Sequence, residues 1–223
     1  MSPDTILHGD CTNVMRRIAD RSVDFVLTDP PYLCNYRSRD GETVRNDRKG
    51  DWIYPAFRHI HRVMKPDSFC VSFYGWHKAD EFIGAWRRAG FRLAGHIVFQ
   101  KRYASSSRFL QNTHEQAYLL VKGEPAMPDN PIPDVLDWHY TGNRLHPTQK
   151  PVGSLKPLIE ALCPAGGLVL DPFCGSGSTL VAARESGRRF TGIELDRRHY
   201  CTAVRRRKTV RRKSDFTEVR EAA

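Results

Sequence analysis

Apolar residues gather in seven short runs, at 5–7, 23–27, 69–73, 93–99, 116–121, 168–170 and 190–193. They are rich in β-branched and bulky side chains and mostly end in turn residues, the pattern of strands. Asp24 is the exception inside the second run. Helical patterns lie between them at 52–64, 77–89, 152–162, 178–186 and from 197 onward. Alternating strands and helices predict an α/β fold, a parallel or mixed sheet covered on both faces.

Three stretches break the alternation. Residues 33–51 carry five bases and four acids and read as a mobile loop. Residues 102–113 hold "SSS" and bases but no acid. Residues 123–147, "GEPAMPDNPIPDVLDWHYTGNRLHP", contain five prolines and read as irregular, because proline cannot donate into a ladder or helix. A loop of that length in a compact domain is a functional insertion or a linker.

The chain of 223 residues suits one domain, 1–223, with a full core. With 40% hydrophobic and 27% charged residues it fits neither a disordered nor a membrane-embedded protein. No apolar run approaches the roughly 18 residues of a spanning helix, and the polar start "MSPDTILHGD" is not a signal peptide. Six cysteines, never at Cys-x-x-Cys spacing, imply reduced thiols and a cytoplasmic setting. The formal charge is +10, and residues 197–213 contain nine bases and no acid. Without them the chain has 26 bases against 25 acids. An acid-free run containing "RRRK" favours a polyanionic partner, nucleic acid.

The candidate chemistry lies at two strand ends. "LVLDPFCGSGSTLVAARESGRRFTGIELD", residues 168–196, reads as strand, glycine turn, helix, strand, acid. Gly175 and Gly177 let the backbone approach a ligand, and the helix that follows points its free N–H groups to the same place. A dinucleotide fingerprint needs a third glycine where Leu180 stands, which argues against a pyrophosphate. Glu194 ends the second strand, where a carboxylate can accept both ribose hydroxyls. The pattern points to an adenosine cofactor without phosphates.

"DPFCGSGST" (171–179) together with "DPPY" (29–32) resembles the S-adenosylmethionine-dependent DNA methyltransferases that modify exocyclic amino groups. "DPPY" precedes the glycine motif, the permuted order of the β class. "LHGDC" (7–11), "HEQAYLLVKG" (114–123) and "HPTQKPV" (146–152) extend the likeness over residues 6–204. The resemblance implies a Rossmann-like sheet of seven strands, mostly parallel with one antiparallel, in the family order 3-2-1-4-5-7-6. The strand near Thr5 would be its third and residues 190–193 its second.

For the cofactor, the resemblance places Phe173, Gly175 and Gly177 at the methionine and ribose, with Asp171 and Ser176 in the same turn. Glu194 would take the ribose hydroxyls, Asp10 and Cys11 the adenine edge, and Thr148 and Lys150 the methionine carboxylate. Many relatives carry a large target-recognition domain where this chain has only residues 123–147. Weak or short-site specificity is therefore expected. Relatives are often dimers, so a homodimer is a further expectation.

An exocyclic amino group such as adenine N6 is a poor nucleophile because its lone pair is delocalised into the ring. Acceptors on its two protons draw the nitrogen toward tetrahedral geometry. Asp29 would supply one acceptor and the Pro30 carbonyl the other, fixed because Pro31 restricts the residue before it. Tyr32 offers a face on which an extruded base can stack. Transfer would be direct. Cytosine C5 methylation, which uses a Pro-Cys nucleophile, is disfavoured because the chain has no Pro-Cys pair. Cytosine N4 methylation, RNA methylation and a non-catalytic DNA-binding subunit remain alternatives. Asp29 favours adenine, and the motif order favours DNA.

Phosphate contacts are expected from Arg205, Arg206, Arg207, Lys208, Arg211, Arg212 and Lys213 in the C-terminal segment 197–223, and from Arg102 and Arg108. His59 and His61 stand two apart on one helix and cannot share a ligand. His8, His114 and His146 are scattered, and no metal spacing occurs. Trp76 and Trp86 are expected in the core or a groove.

Overall fold

The structure is a computed structural model, describing residues 4–37, 41, 43–105, 109–140, 145 and 148–209. The elements begin with β1 (Thr5–His8), α1 (Cys11–Met15), β2 (Val23–Thr28), α2 (Ile53–Val63) and β3 (Met64–Phe73). A 3-10 turn at Trp76–Lys78 leads into α3 (Ala79–Ala89), β4 (Arg92–Gln100), β5 (His114–Lys122) and β6 (Val135–Asp137). The chain closes with α4 (Val152–Leu162), β7 (Leu168–Asp171), α5 (Ser178–Glu185), β8 (Arg189–Glu194) and α6 (Arg197–Thr209).

The strands form one sheet in the order β1-β8-β7-β2-β3-β5-β4-β6. Only β5 is antiparallel to its neighbours. The first seven positions follow the expected order, but the sheet has eight strands, not seven. The extra strand comes from the proline-rich stretch. Between Pro133 and Pro147 that stretch is free of proline, and Val135–Asp137 pairs in parallel with Val98–Gln100. Its ladder runs on through the Val98 amide to Asp134 O and the Trp138 amide to Gln100 O.

Two cores lie on opposite faces. Val26, Ile60, Phe82 and Trp86 pack with α1, α2 and α3 on one. Phe25, Leu27, Val71, Leu158 and Leu180 pack with α4, α5 and α6 on the other. β2 is thus buried on both sides, which is why its sequence is a continuous apolar run rather than an alternation. Trp86 is buried as expected. Trp76 is 71% exposed, because it sits in the tight turn leaving β3.

Helix α1 had no counterpart in the sequence pattern, since five residues carry too little periodicity. Its signal was local: Asp10 caps it, accepting from the Thr12 amide at 2.8 Å and the Asn13 amide at 3.4 Å. The polar exception in β2 also has a role. The β2–β3 register shifts between Val23 and Phe25, and Asp24 stands at that irregularity. Its carboxylate accepts from the Leu168 amide at 2.7 Å and pairs with Lys65 Nζ at 2.6 Å. A side chain thus replaces a ladder bond at the head of β7.

Parallel pairing leaves the chain exits of β1, β2, β3, β4, β6, β7 and β8 along one carboxyl edge, where β5 begins. All six cysteines are free. Among the described residues, no helix is long and apolar enough to cross a membrane. Replacing Asp24 by Ala should leave the Leu168 amide without its acceptor. We expect a loss of about 1–3 kcal/mol in urea unfolding, with secondary structure unchanged by circular dichroism.

Candidate active site

Phe25 pairs with Val169 and Val26 with Leu170, so β2 and β7 leave the sheet side by side. Their ends are joined by Thr28 Oγ1 donating to Asp171 Oδ1 at 3.1 Å. The two motifs, distant in sequence, border one cleft. It is lined by Asp10, Cys11, Asp29, Pro30, Pro31, Tyr32, Thr148, Lys150, Asp171, Phe173, Gly175, Ser176 and Glu194. All the expected catalytic and cofactor residues except Gly177 therefore meet there.

The glycine turn is held by carboxylates. Asp171 Oδ1 accepts from the Phe173 amide at 3.1 Å, and Glu194 Oε2 from the Gly175 amide at 2.8 Å. The other oxygen of Glu194 accepts from the Asp196 amide at 2.6 Å. Each oxygen keeps a lone pair for a ligand hydroxyl. Gly175 adopts φ 51°, the left-handed region. Gly177, at φ 86°, caps α5 and faces away from the cleft. A Cβ there would lie 3.2 Å from the Ala203 Cβ of α6. Its freedom serves the packing of α5 on α6, not the cleft wall.

At the other motif, Asp29 is gripped from two sides. Lys150 Nζ lies 2.6 Å from Oδ2, and Tyr32 OH donates to Oδ1 at 2.8 Å. The Lys150 ammonium also stands 5.2 Å from the Tyr32 ring centre and 4.9 Å from that of Phe73. Lys150 thus stands at the Asp29 corner, against the carboxylate and both rings. Its side chain is only 8% exposed, so the contact is a desolvated ion pair. Gly75 makes room for the corner: a Cβ there would lie 2.6 Å from the Tyr32 carbonyl.

Burial pushes the Asp29 carboxyl above the ordinary range, and Lys150 and Tyr32 pull it back. Burial, then the charge of Asp29, raises the Tyr32 phenol. Asp171 is pushed up to about 7, chiefly by burial, against hydrogen bonds from Thr179, Phe173 and Thr28. Glu194 is also raised by burial, opposed by the amides it accepts from. Burial lifts the Cys11 and Cys174 thiols, so neither is a ready nucleophile.

Sequence reasoning missed part of the wall. The segment after the double proline is stapled by Asp47, which is 2% exposed. Asp47 accepts from the Tyr36 amide at 2.6 Å and the Cys34 amide at 3.3 Å. Its described part lines the cleft, a place that its balanced charge did not suggest. Arg45 crosses from this wall to Asp196 at 3.4 Å, and His199 lines the same end. The "IELD" run carried a signal for Asp196, but nothing local marked Asp47.

The expected phosphate contacts divide. Arg102 is exposed at the carboxyl edge, just beyond β4. Helix α6 starts at that edge and runs back along β8 for about 20 Å, so its basic end reaches the opposite edge. There Arg207 Nη1 donates to the Asp4 carbonyl at 2.6 Å, ahead of β1. Arg206 reaches back to Ser178 Oγ at 3.1 Å and the Ser176 carbonyl at 3.4 Å. These two side chains turn onto the protein, because helical side chains lean toward the N-terminus. Arg205 and Lys208 are exposed at the far end. Arg108, Arg211, Arg212 and Lys213 lie outside the described residues. Among the described residues no cluster of His, Cys, Asp and Glu could hold a metal.

A mostly parallel sheet with an acceptor corner beside a glycine turn at its carboxyl edge has a counterpart among known proteins. The chain belongs to the DNA methylase family, whose sequence profile matches residues 23–205. It is 50% identical over 206 residues to YubD of Escherichia coli (strain K12), a protein named as a methylase, covering 92% of this chain and 91% of that one. It is 28% identical over 245 residues to the DNA adenine methyltransferase YhdJ of Escherichia coli (strain K12), covering 91% and 82% of the two chains. The crystal structure of the M1.HpyAVI–SAM complex is similar in fold, with a TM-score of 0.72 at 23% identity over 92% of this chain and 99% of that one.

Replacing Gly177 by Ala should cost roughly 1–2 kcal/mol from the left-handed backbone alone. The contact with Ala203 should add to that. Thermal unfolding is expected to show the loss, whereas the equivalent change at Gly175 should act on ligand affinity. Asp171 predicts a pH effect. Its folded value, about 7, lies above the ordinary 3.8, so the folded state favours the neutral carboxyl. That stabilisation is complete below the ordinary value and disappears as pH rises through about 7. Asp171→Asn should therefore raise the urea midpoint relative to wild type more at pH 8 than at pH 5.

Proposed function

We propose that the protein is a DNA methyltransferase that places a methyl group on adenine N6 of an extruded base. The observation that carries this reading is the Asp29 corner: a half-buried carboxylate on a double-proline frame, flanked by a stacking ring, at the end of the strand beside the glycine turn. The family membership gives DNA and methyl transfer.

S-adenosylmethionine supplies an electrophilic methyl on a sulfonium sulfur, and the cleft fits such a group. Asp10, Asp171, Glu194 and Asp196 all border it, an acidic lining that suits a cationic, hydroxyl-bearing ligand and repels a pyrophosphate. Glu194 would take the ribose hydroxyls with its remaining lone pairs, and Phe173 would cover the methionine arm. Asp10 and Cys11, at the start of α1, would meet the adenine edge.

The work of the chain's own residues lies at the target base. Asp29 accepts one amino proton and the Pro30 carbonyl the other, which localises the lone pair on nitrogen. For this Asp29 must be ionised in a place that favours its neutral form, and the ammonium of Lys150 supplies the counter-charge. Once the methyl has passed to the base nitrogen, with its bond to the sulfonium broken to leave a neutral thioether, the nitrogen would carry one proton too many. The Asp29 carboxylate is placed to take it. Tyr32 fixes the carboxylate plane and presents its ring to the base.

Adenine is preferred to cytosine because the motif begins with Asp, and because a relative over most of the chain is named for adenine. Cytosine N4 has the same amino geometry, and the family takes in both targets. Incubation with DNA and methyl-labelled cofactor, followed by digestion to nucleosides and mass spectrometry, decides between them. N6-methyladenine is expected; N4-methylcytosine would change the target, and no labelled nucleoside would end the reading.

Two substitutions test the roles. Asp29→Ala should reduce transfer by at least about 100-fold, in the range for a positioned acid–base group, with cofactor affinity within a few-fold by calorimetry. Lys150→Met should leave the half-buried Asp29 with only Tyr32 to oppose its protonation. The acid limb of the rate–pH profile should then move to higher pH, with rate recovering as pH rises. A large loss of cofactor affinity with an unmoved acid limb would instead return Lys150 to the methionine carboxylate.

A further inference from the structure

The far end of α6 is on the wrong edge of the sheet to open a duplex over Asp29, and the carboxyl edge offers another element. The connection from β4 to β5 rises from that edge on a stem closed by two backbone hydrogen bonds. The Lys101 amide donates to the Thr113 carbonyl at 2.8 Å, and the Ser105 amide to the Asn112 carbonyl at 2.9 Å. Under the stem, Lys101 is buried, pairs with Glu115 and donates to Ser105 Oγ at 3.2 Å. Two residues before Lys101, Phe99 stacks on Phe73 with ring centres 5.1 Å apart, and the Lys150 ammonium that holds Asp29 stands 4.9 Å from the Phe73 ring centre. The stem is therefore anchored beside the acceptor corner.

At the end of this stem two adjacent large apolar side chains face solvent, Phe109 at 90% and Leu110 at 78% exposure. An edge-on aromatic pair, Tyr103 and Tyr140, flanks the stem with ring centres 5.2 Å apart. The segment 102–113 contains Arg102 and Arg108 and no acid, a sign that suits phosphates. Exposing such a pair to water costs free energy that burial between stacked bases would recover. Apolar side chains inserted between bases unstack them, and enzymes acting on an extruded base must bear that unstacking.

We propose that Phe109 and Leu110 form a wedge that enters the DNA duplex and fills the slot left by the base delivered to Asp29. This rests on the reading as a DNA methyltransferase. The stem sets the depth of the wedge, Arg102 meets the adjoining backbone, and Phe99, stacked on Phe73, ties its position to that of the acceptor corner.

The test compares wild type with Phe109→Ala/Leu110→Ala and with Phe109→Trp, using one unmethylated plasmid DNA, native or heat-denatured, and methyl-labelled cofactor. Both side chains are exposed, so thermal unfolding and cofactor titration should match wild type. The double variant should lose at least tenfold in kcat/KM on native DNA and stay within about twofold of wild type on denatured DNA, where no duplex has to be opened. Phe109→Trp should keep activity on both forms. Equal losses on the two forms, or no loss on either, would overturn the wedge. So would a shift from dimer to monomer in sedimentation with an unchanged ratio of the two activities, which would make the patch a contact between copies. Wild type inactive on both forms would sink the methyltransferase reading itself.

Discussion

A short parallel contact, Phe25 with Val169 and Val26 with Leu170, holds the chemistry together. It brings the exit of β2, which carries Asp29, against the exit of β7, which carries Asp171. A slip of one residue in β2 would exchange its two buried faces. Phe25 and Leu27 would turn toward α1–α3, and Thr28 would lose its bond to Asp171. Asp24 secures the register by holding the Leu168 amide where the β2–β3 ladder is irregular. A residue that looks like a flaw in an apolar strand therefore sets the geometry of a cleft at the other end of that strand.

The carboxylates around the cleft divide the labour. Asp10 caps a helix, Asp171 and Glu194 tie down the glycine turn, and Asp47 orders the facing wall. Each uses backbone amides as its partners, and with Asp29 and Asp196 they outnumber Arg45 and Lys150 among the described residues of the cleft. Asp29 alone is matched by a buried ammonium. The proposed acceptor is thus set apart from the scaffold acids by its partner, not by its exposure.

The sheet was legible because its strands are buried on both faces and its motifs mark strand ends. All seven expected strands and five expected helical stretches exist, most with ends within a few residues. Where the reading failed, the reason was usually tertiary. Asp47 is recognisable only once the chain folds back on residues 34–36. Gly177 and Gly175 look alike in sequence, but the neighbour that makes Gly177 necessary is Ala203 on another helix. The charge of "RRRK" was plain, yet only the direction of α6 tells which edge of the sheet receives it. Strand β6 was hidden by the prolines before it, which stop one residue short of Asp134. Lys150 was visible, but its pairing with Asp29 spans 121 positions of sequence.

The path of the segment after β5 has a consequence for how such enzymes diversify. β5 delivers the chain to the amino edge, and β6 carries it back along β4 to the carboxyl edge. Extra residues inserted before Val135 would emerge on the side away from the cleft and be blind to the substrate. Residues inserted after Asp137 would emerge at the same carboxyl edge as Asp29, beyond β4. A three-residue strand thus acts as a graft junction, whose two ends give added residues access to opposite edges of the sheet.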